Sequence, residues 1–560
     1  TTGASNVAVG REALVSNTNA GNNTAVGYQA GYTSNSNNGV TALGYQAMYS
    51  NTTGDATAMG YQAAYANTTG TAISAFGYQA LDSNTTGNYN TAIGGAALSA
   101  NTTASSNTAV GYQAGYSNTT GTQNTAIGFG ASSANTTGNY NVVAGARTLF
   151  SNTTGSNNSA YGWNALYSNT TGSSNTASGY QALNANTTAS YNTAVGYQAG
   201  YSNTTGAGNT ALGYIASTAN TTGGYNTMVG SNTFINNTTG NSNTGIGHAI
   251  LYNSTTADNN TALGYYALFS NTTASNNTAV GYQAGYTNTT GTSLVAMGKT
   301  ALYSNTTGTY NTAIGAPDSG GQSTMGTNST GSYNTALGSG ALSLNTTASN
   351  NTAVGYKALY ANTTGSENAG LSDAALMLNT TGNYNSAAGR GALNVNTTGS
   401  NNSAFGYLAL SANTTASNNT AVGYQSLLDN TTGFSLTSVG WGSLANNTTG
   451  YDSAAVGVSA LAANTTGLNN TALGNYSLTS NTTGNANTAV GYQAGYAATG
   501  GANTFVGDSA GISATTAAGS TFVGREAGFY VTTGSKNTIL GRYNGNQGGL
   551  DIRTSSNNIV

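Results

Sequence analysis

The sequence predicts an all-β fold, a parallel β-solenoid (β-roll) of about 32 coils with 17 residues in nearly every coil. The first observation is a glycine in the motif A-V-G, here called the repeat glycine, which returns every 17 residues along most of the chain. The second is the residue before it, which is almost always aliphatic. The third is the decapeptide NTAVGYQAGY, whose copies include those that begin at Asn107, Asn192 and Asn277. Internal repetition at such a period is typical of solenoids and not of separate globular domains.

The spacing of the repeat glycine also predicts how the chain is organised. Two units are one residue short, and one unit carries six additional residues around Pro317, the only proline. The predicted regions are solenoid repeats over 1–315 and 338–491, an irregular coil with the six-residue insertion over 316–337, more charged terminal coils over 492–541, and an exit segment over 542–560 that leads toward a missing C-terminal region. Because there is neither an initiator Met nor a signal peptide, we expect a fragment or a processed chain.

Composition excludes several classes of function. Only 4% of the 560 residues are charged and the net charge is −3, so we expect no nucleic-acid partner. No run of about 18 apolar residues occurs, so we expect no membrane insertion. The chain has no Cys, which excludes disulfides and thiolate metal sites. The abundance of Gly, Asn, Ser and Thr would also suit a disordered chain, but disorder does not require an aliphatic residue at a fixed phase.

Two columns of the repeat are predicted to form the core. The aliphatic residue before the repeat glycine, here called the pre-glycine column, is predicted to be buried as one residue per coil; Val110, Ile127, Val195 and Val280 belong to it. The third residue after the glycine is a small one, usually Ala, which suits a place where two walls of a narrow coil approach closely. Its members include Ala30, Ala47, Ala114 and Ala199.

The repeat glycine is predicted to be a corner. The residue after it is usually aromatic but is also Arg11, His248, Lys299 or Asp373, a set that a buried position would not accept. The chain must therefore turn between this residue and the pre-glycine column, and a glycine permits positive φ or close backbone approach there. The N-T-T-G segment is the second corner. Each unit should then contain two short strands and two turns.

The fourth residue after the repeat glycine, here called the leucine column, is predicted to point outward, because the Ala before it points inward. Leu81, Leu166, Leu302 and Leu410 belong to this column. An outward leucine stripe would be a large apolar patch, which a cyclic homo-oligomer would bury. Where Gly replaces the leucine, as in "AGY" at Gly115–Tyr116, we expect the Tyr ring to fill the vacated space.

The motifs N-T-A-V-G and N-T-A-I-G resemble the S-V-A-I-G repeats in the head domains of trimeric autotransporter adhesins. The arrangement N-T-T-G-S-N-N-T-A-V-G-Y-Q-A-L is also similar to arrays in phage tail-fibre proteins and related bacterial surface proteins, and GGLDIRTSSNNIV resembles the sequence that follows such arrays. The resemblance implies a left-handed parallel β-roll assembled as a homotrimer. This sequence departs from the adhesin heads in its 17-residue unit, and it contains no self-cleaving chaperone, which often helps assembly in that family.

No catalytic constellation, metal site or cofactor is predicted. His248 is the only histidine, so a His-based triad or multi-His site is impossible. The position after the repeat glycine is charged in the last three coils, at Asp508, Arg525 and Arg542. This pattern predicts a salt-bridge ladder, and the alternative interpretation is a contact with a receptor. The recurring N-T-T is formally an N-glycosylation acceptor, most simply explained as a turn. Its candidate acceptors are Asn118, Asn203 and Asn288.

Aromatic residues after the repeat glycine are the candidate glycan contacts. These are Tyr112, Phe129, Trp163, Tyr180, Tyr197 and Tyr214, a series interrupted only by Ala146. The coil spacing would place successive rings about 5 Å apart, so that they could stack along the coils and stiffen the shaft. In the alternative interpretation the rings contact sugars, and Gln113, Gln181 and Gln198 supply hydrogen bonds.

These features predict a non-enzymatic fibre or adhesin shaft on a virion or cell surface. The expected partners are further copies of the chain, as a homotrimer, and a neutral surface polysaccharide. The alternative function is a single-chain extracellular β-solenoid that is glycosylated or binds ice.

Overall fold

The computed structural model describes residues 3–36 and 38–560, and its strands are short and regularly spaced. The chain divides into two compact units, Thr1–Asn276 and Asn277–Val560. In the first unit β1 to β16 are, in order, Val7–Val9, Thr24–Val26, Thr41–Leu43, Ala56–Met59, Ile73–Phe76, Thr91–Ile93, Thr108–Val110, Thr125–Ile127, Val142–Ala144, Ser159–Tyr161, Thr176–Ser178, Thr193–Val195, Thr210–Leu212, Thr227–Val229, Thr244–Ile246 and Thr261–Leu263. In the second unit β17 to β34 are Thr278–Val280, Val295–Met297, Thr312–Ile314, Thr335–Leu337, Thr352–Val354, Ala369–Leu371, Ser386–Ala388, Ser403–Phe405, Thr420–Val422, Thr437–Val439, Ala454–Val456, Thr471–Leu473, Thr488–Val490, Thr504–Val506, Thr521–Val523, Thr538–Leu540, Asn546–Gln547 and Leu550–Asp551.

Each unit is a parallel β-solenoid, and the all-β, β-roll part of the predicted fold is confirmed. Successive strands pair in parallel with equivalent residues opposite each other, as where Thr108 of β7 pairs with Thr125 of β8. The turns also bond from coil to coil, because the Gln113 N–H donates to the Gly95 carbonyl at 2.9 Å. Backbone hydrogen bonds to the adjacent coils therefore extend through the turns as well as the strands.

The predicted two strands per coil are wrong, because each coil contains one strand. The segment after the repeat glycine is a turn with repeated left-handed residues, such as Asn164 (φ 53°) and Leu166 (φ 51°). Alternation of side chains between two faces applies to strands and not to such a turn. Ala165 and Leu166 are adjacent in sequence, yet both are 0% exposed.

The predicted sides of the two aliphatic columns are reversed. Members of the leucine column lie inside their own coils, with 0% exposure at each predicted position: Leu81, Leu166, Leu302 and Leu410. The pre-glycine column faces outward, with Val195 39% and Ile127 44% exposed and Val110 and Val280 partly exposed. In each three-residue strand the central residue, usually Ala, points inward, so its neighbours on both sides must point outward. The predicted small-residue column is buried, with 0% exposure at Ala30, Ala47, Ala114 and Ala199.

The predicted corner at the repeat glycine is confirmed. Gly111, Gly196 and Gly281 have φ between 133° and 137°, a region that residues with a Cβ seldom adopt. A Cβ built on Gly196 would lie 2.3 Å from the Gly213 carbonyl oxygen of the next coil. Both conformation and space therefore favour glycine here, although Ser372 takes the equivalent position in one coil with a φ of 135°.

The interior of the coils also contains two columns of buried Asn, a feature that the sequence analysis missed. The Asn that starts N-T-T-G bonds to its counterpart in the preceding coil: Asn118 Nδ2 donates to Asn101 Oδ1 at 2.9 Å and to the Gly121 carbonyl at 2.9 Å. The Asn before each strand accepts from backbone, as where the Asn124 N–H donates to Asn107 Oδ1 at 2.9 Å. These amides satisfy buried polar groups that would otherwise destabilise the fold.

The prediction that Tyr116 fills the space beside Gly115 is wrong. Tyr116 remains at the surface with 39% exposure. A Cβ built on Gly115 would lie 2.9 Å from Cδ2 of Leu98 in the preceding coil, so that leucine already occupies the space.

The predicted irregular and exit regions both return to the solenoid path. The six-residue insertion is confined to residues 316–322, and Thr324 resumes the small-residue column by accepting a backbone bond from Leu302 at 3.1 Å. Near the C-terminus β33 and β34 form an antiparallel hairpin. The last residues then pair with β32, where the Leu540 N–H donates to the Val560 carbonyl at 2.8 Å.

Among the described residues no helix has the length and apolar character needed to cross a membrane.

Candidate functional site

The outer side of the strands, here called the sheet face, carries the most regular exposed surface of the molecule. Its first column is the residue that begins most strands, usually Thr, and its second is the pre-glycine column. The aromatic column that follows the repeat glycine lies beside them. The side chains of the pre-glycine column are partly exposed or exposed, and many of the large ones are exposed by about two fifths, as at Ile93 (41%), Ile246 (42%), Leu371 (43%) and Leu473 (40%). The sheet face is therefore a Thr column beside one column of exposed apolar side chains, and the aromatic column follows it across the repeat-glycine corner.

The six candidate glycan-contact aromatics are all exposed and form two stacks. Their exposed fractions run from 42% at Trp163 to 55% at Tyr214. Tyr112 stacks on Phe129 with ring centroids 5.7 Å apart. In the second stack, Trp163–Tyr180, Tyr180–Tyr197 and Tyr197–Tyr214 are separated by 4.9, 5.2 and 5.4 Å.

Stacking decides which part of each ring a ligand could reach. A ring inside a stack, such as Tyr180, has both faces covered by neighbouring rings and presents its edge and hydroxyl to solvent. Phe129 and Trp163 each end a stack at the coil that carries Ala146 in this column. The ring faces that no other ring covers are therefore those at the ends of the two stacks. Phe129 and Trp163 each present one toward Ala146, Tyr112 presents one toward Gly95, and Tyr214 presents one toward Ser231.

Two of the three glutamines proposed as hydrogen-bonding partners, Gln181 and Gln198, are bonded to each other. Gln198 Nε2 donates to Gln181 Oε1 at 2.8 Å, which leaves one amide hydrogen of Gln198 for a ligand. The same pairing occurs between Gln46 and Gln29 at 2.9 Å. The glutamine column is thus a second ladder beside the aromatic one.

The candidate glycosylation residues lie inside the solenoid. Asn118, Asn203 and Asn288 are 2%, 1% and 0% exposed. Nδ2 of Asn203, the atom that would carry a glycan, donates to the Gly206 carbonyl at 2.9 Å and to Asn186 Oδ1 at 3.0 Å. A bulky sugar on this atom is incompatible with the packed coil, so the buried side chains favour the structural explanation of N-T-T.

The charged side chains near the C-terminus form the predicted salt-bridge ladder, which also includes Glu526. Arg525 lies 3.6 Å from the Asp508 carboxylate and 3.4 Å from that of Glu526. Arg542 Nη2 lies 2.9 Å from Glu526 Oε2, and this hydrogen bond lowers the pKa of Glu526. His248 stacks on Tyr265 with centroids 5.1 Å apart. In the described part of the chain no group of three or more His, Cys, Asp or Glu side chains could hold a metal ion.

Comparison with known proteins gives no relative from which a role could be transferred. No protein-family model matches the chain, and no curated protein sequence matches it either.

Proposed function

We propose that the protein is a non-enzymatic structural shaft of a virion fibre or cell-surface adhesin, assembled as a homotrimer of left-handed β-rolls. The observation that carries this proposal is the outward pre-glycine column. It replaces the leucine column as the surface that a second copy would cover, because the leucines are buried within their own coils. The resemblance of the repeats to adhesin heads and phage tail-fibre arrays supports the handedness and the number of copies.

The size of the apolar surface supports self-association. A patch of more than a few hundred Å² is unusual on a monomeric soluble protein. The pre-glycine column supplies one outward side chain in every coil, and Val9, Met59, Ile93, Leu263, Leu337 and Leu540 are all at least 41% exposed. Burying apolar area stabilises an assembly by roughly 25 cal/mol per Å² before the loss of rigid-body freedom is counted. A closed cyclic assembly would cover this face in every copy.

In this proposal the shaft holds a surface-attachment element and contacts a neutral host polysaccharide through its aromatic column. The exposed stacks supply apolar edges, and the uncovered faces of Phe129 and Trp163 suit the C–H surface of a sugar. A glycan-binding screen tests this role by comparing the wild type with a Trp163→Ala, Tyr180→Ala, Tyr197→Ala variant. Loss of binding with an intact fold supports the role, whereas unchanged binding leaves these rings only a structural one.

The assembly is tested by the mass of the protein in solution. Light scattering after gel filtration should give close to three times the 55.4 kDa of one chain. Val110→Asp combined with Val195→Asp should reduce the mass to that of one chain while the circular dichroism spectrum stays unchanged, because in the single chain Val195 is exposed and Val110 is partly exposed. Thr120→Asp combined with Thr205→Asp is the matched control, since both threonines are exposed in the N-T-T-G turn. A wild-type monomer, or a double Val variant that stays assembled, contradicts the proposal.

A second candidate is a single-chain ice-binding solenoid, and one observation favours it. The Thr that begins most strands lies on the sheet face beside the pre-glycine column, so hydroxyls and aliphatic groups repeat together from coil to coil at about 4.8 Å. This array differs from the N-T-T-G threonines, which lie in a turn. A monomeric mass together with a thermal hysteresis of the freezing point would favour this function, and a trimer without hysteresis would favour the shaft.

A further inference from the structure

The insertion in the second unit creates a cleft that the regular coils lack. Residues 316–322 take the place of the single residue that elsewhere follows the repeat glycine. The loop and the two preceding coils line an open cavity of about 440 Å³, whose walls include Lys299, Tyr303 and Gln322. This volume lies within the range of about 300–1,000 Å³ that small-ligand sites occupy.

The cleft contains an aromatic ring with one face covered and the other facing the space left by a missing ring. Tyr303 stacks on Tyr286 of the preceding coil, with centroids 5.2 Å apart and planes 6° from parallel. In the next coil the equivalent position is Gly326, which lines the cavity and has no ring. A flat ligand can therefore take the place of the missing ring, at the spacing that the coils impose.

The charge of the cleft is positive. Lys299 is exposed at the cavity wall, and no carboxylate lies within ion-pair distance of it among the described residues. The one acid of the loop, Asp318, is turned to the opposite side: its side chain is 1% exposed, its Oδ1 accepts from the backbone of Gly320 and Gln322 at 2.9 Å each, and its Oδ2 lies 3.1 Å from Lys357 Nζ. Asp318 thus shapes the loop and does not neutralise Lys299.

Neutral polar groups line the rest of the cavity. Gln283 and Gln322 lie in its wall and are partly exposed, with amides that can both donate and accept hydrogen bonds. Thr300 and Ser323 are joined by a hydrogen bond of 2.5 Å between their hydroxyls, which ties the loop to the preceding coil. The cleft therefore combines a stacking face, one cation and several neutral hydrogen-bonding groups in a loop that is fixed at both ends.

We propose that this cleft binds a single acidic sugar residue, a hexuronate, within a surface polysaccharide. The C–H face of the sugar packs on Tyr303, its carboxylate pairs with Lys299, and its hydroxyls bond to Gln283 and Gln322. This site is separate from the aromatic stacks of the first unit, for which a neutral polysaccharide is proposed. It depends on the insertion alone and would be present in a monomer or in an assembly.

The test is a calorimetric titration of the full chain with two probes, a disaccharide that ends in glucuronate and the matching disaccharide that ends in glucose. We expect the acidic probe to bind with a dissociation constant of about 1 mM or tighter and the neutral probe to bind at least about tenfold more weakly. Lys299→Gln should remove this preference, and Lys299→Arg should restore it. Tyr303→Ala should lower the affinity for both probes, because it removes the aromatic ring on which the sugar packs.

Lys536→Gln is the matched control, since Lys536 is also exposed but lies in a coil far along the sequence from the insertion. Circular dichroism of each variant checks the fold. Equal affinity for the two probes, no binding of the acidic probe, or a loss in Lys536→Gln as large as that in Lys299→Gln would overturn the proposal. The outcome does not depend on the mass of the assembly, so the site and the proposed shaft can fail separately.

Discussion

The interior of the coils and their sheet face both carry an aliphatic side chain in most coils, and these two regions behave differently. Leu166, in the interior, is 0% exposed, whereas Ile127, on the sheet face, is 44% exposed. The leucine lies in a turn of left-handed residues, and the isoleucine ends a three-residue strand. Backbone conformation, and not the hydrophobicity of the side chain, therefore decides which column forms the core of a narrow solenoid.

The largest effect is expected from the interior column. Leu166→Ala should lower the free energy of unfolding by about 2–5 kcal/mol, because a fully buried side chain is replaced by a cavity in a narrow coil. Thermal and denaturant unfolding of the variant would measure the loss. A variant with the stability of the wild type would mean that the interior and the sheet face do not differ as the structure has them.

A smaller effect is expected from the polar side of the interior. Asn186 is 0% exposed, and its Nδ2 donates to Asn169 Oδ1 at 2.8 Å and to the Ala189 carbonyl at 3.0 Å. Asn186→Ala leaves buried acceptors with fewer donors and should lower the free energy of unfolding by about 1–3 kcal/mol. Thr188→Ala, at an exposed position of the same turn, is the control and should be close to neutral. Equal losses in both variants would show that the buried Asn column adds no specific stability.

The sheet face should be much less sensitive in the isolated chain. Ile127→Ala should lower its free energy of unfolding by less than about 1 kcal/mol, because much of the side chain is already in contact with water. Unfolding must be followed at concentrations where the chain is monomeric. A loss that grows with protein concentration would locate the contribution of Ile127 at an interface between copies, whereas a large loss in the monomer would contradict the exposed position.

The smallest effect concerns the terminal charges. Arg542 lowers the pKa of Glu526 below its ordinary value of 4.5, so the ion pair stabilises the fold above that pH and ceases to do so as the pH falls through the folded-state pKa. At neutral pH the melting temperature of Glu526→Gln should therefore be slightly below that of the wild type. Well below pH 4.5 the two melting temperatures should be equal. High salt should also reduce the difference, since the pair is exposed. A difference that persists in acid would exclude the ion pair as its cause.

The sequence allowed the class of fold to be predicted, because the period and phase of the repeat glycine determine a stack of coils. The corner at Gly196 could also be predicted, since a position that tolerates Arg or Asp soon after an aliphatic one requires a change of direction. The sides of the two aliphatic columns could not be predicted by alternation. Alternation assumes extended backbone, and residues such as Asn164 and Leu166 adopt positive φ without being glycine.

Other features needed the coordinates because their partners lie in different coils. A repeated Asn suits a turn as well as a buried amide ladder, and only the bond from Asn118 to Asn101 distinguishes the two. The aromatic column was recognisable from its residue types, but the covering of each ring face by the next ring depends on the measured spacing. The cleft beside Tyr303 was marked in the sequence only by the insertion around Pro317, whose path no periodic pattern could supply.

Equivalent residues of successive coils bond to each other. The number of coils can therefore change without a change in the fold of each coil. Asn118, for example, donates to Asn101 in the preceding coil and accepts from Asn135 in the following one. Because each coil repeats this pattern, a coil can be duplicated or deleted and the surfaces that are rejoined remain complementary. The unchanged decapeptide at Asn107, Asn192 and Asn277 is the trace that copying a block of five units would leave. The 16-residue spacing between Gly44 and Gly60 shows that even the loss of a single residue is absorbed within one turn. Selection can therefore adjust the reach of such a protein in steps of one coil without redesigning its interior.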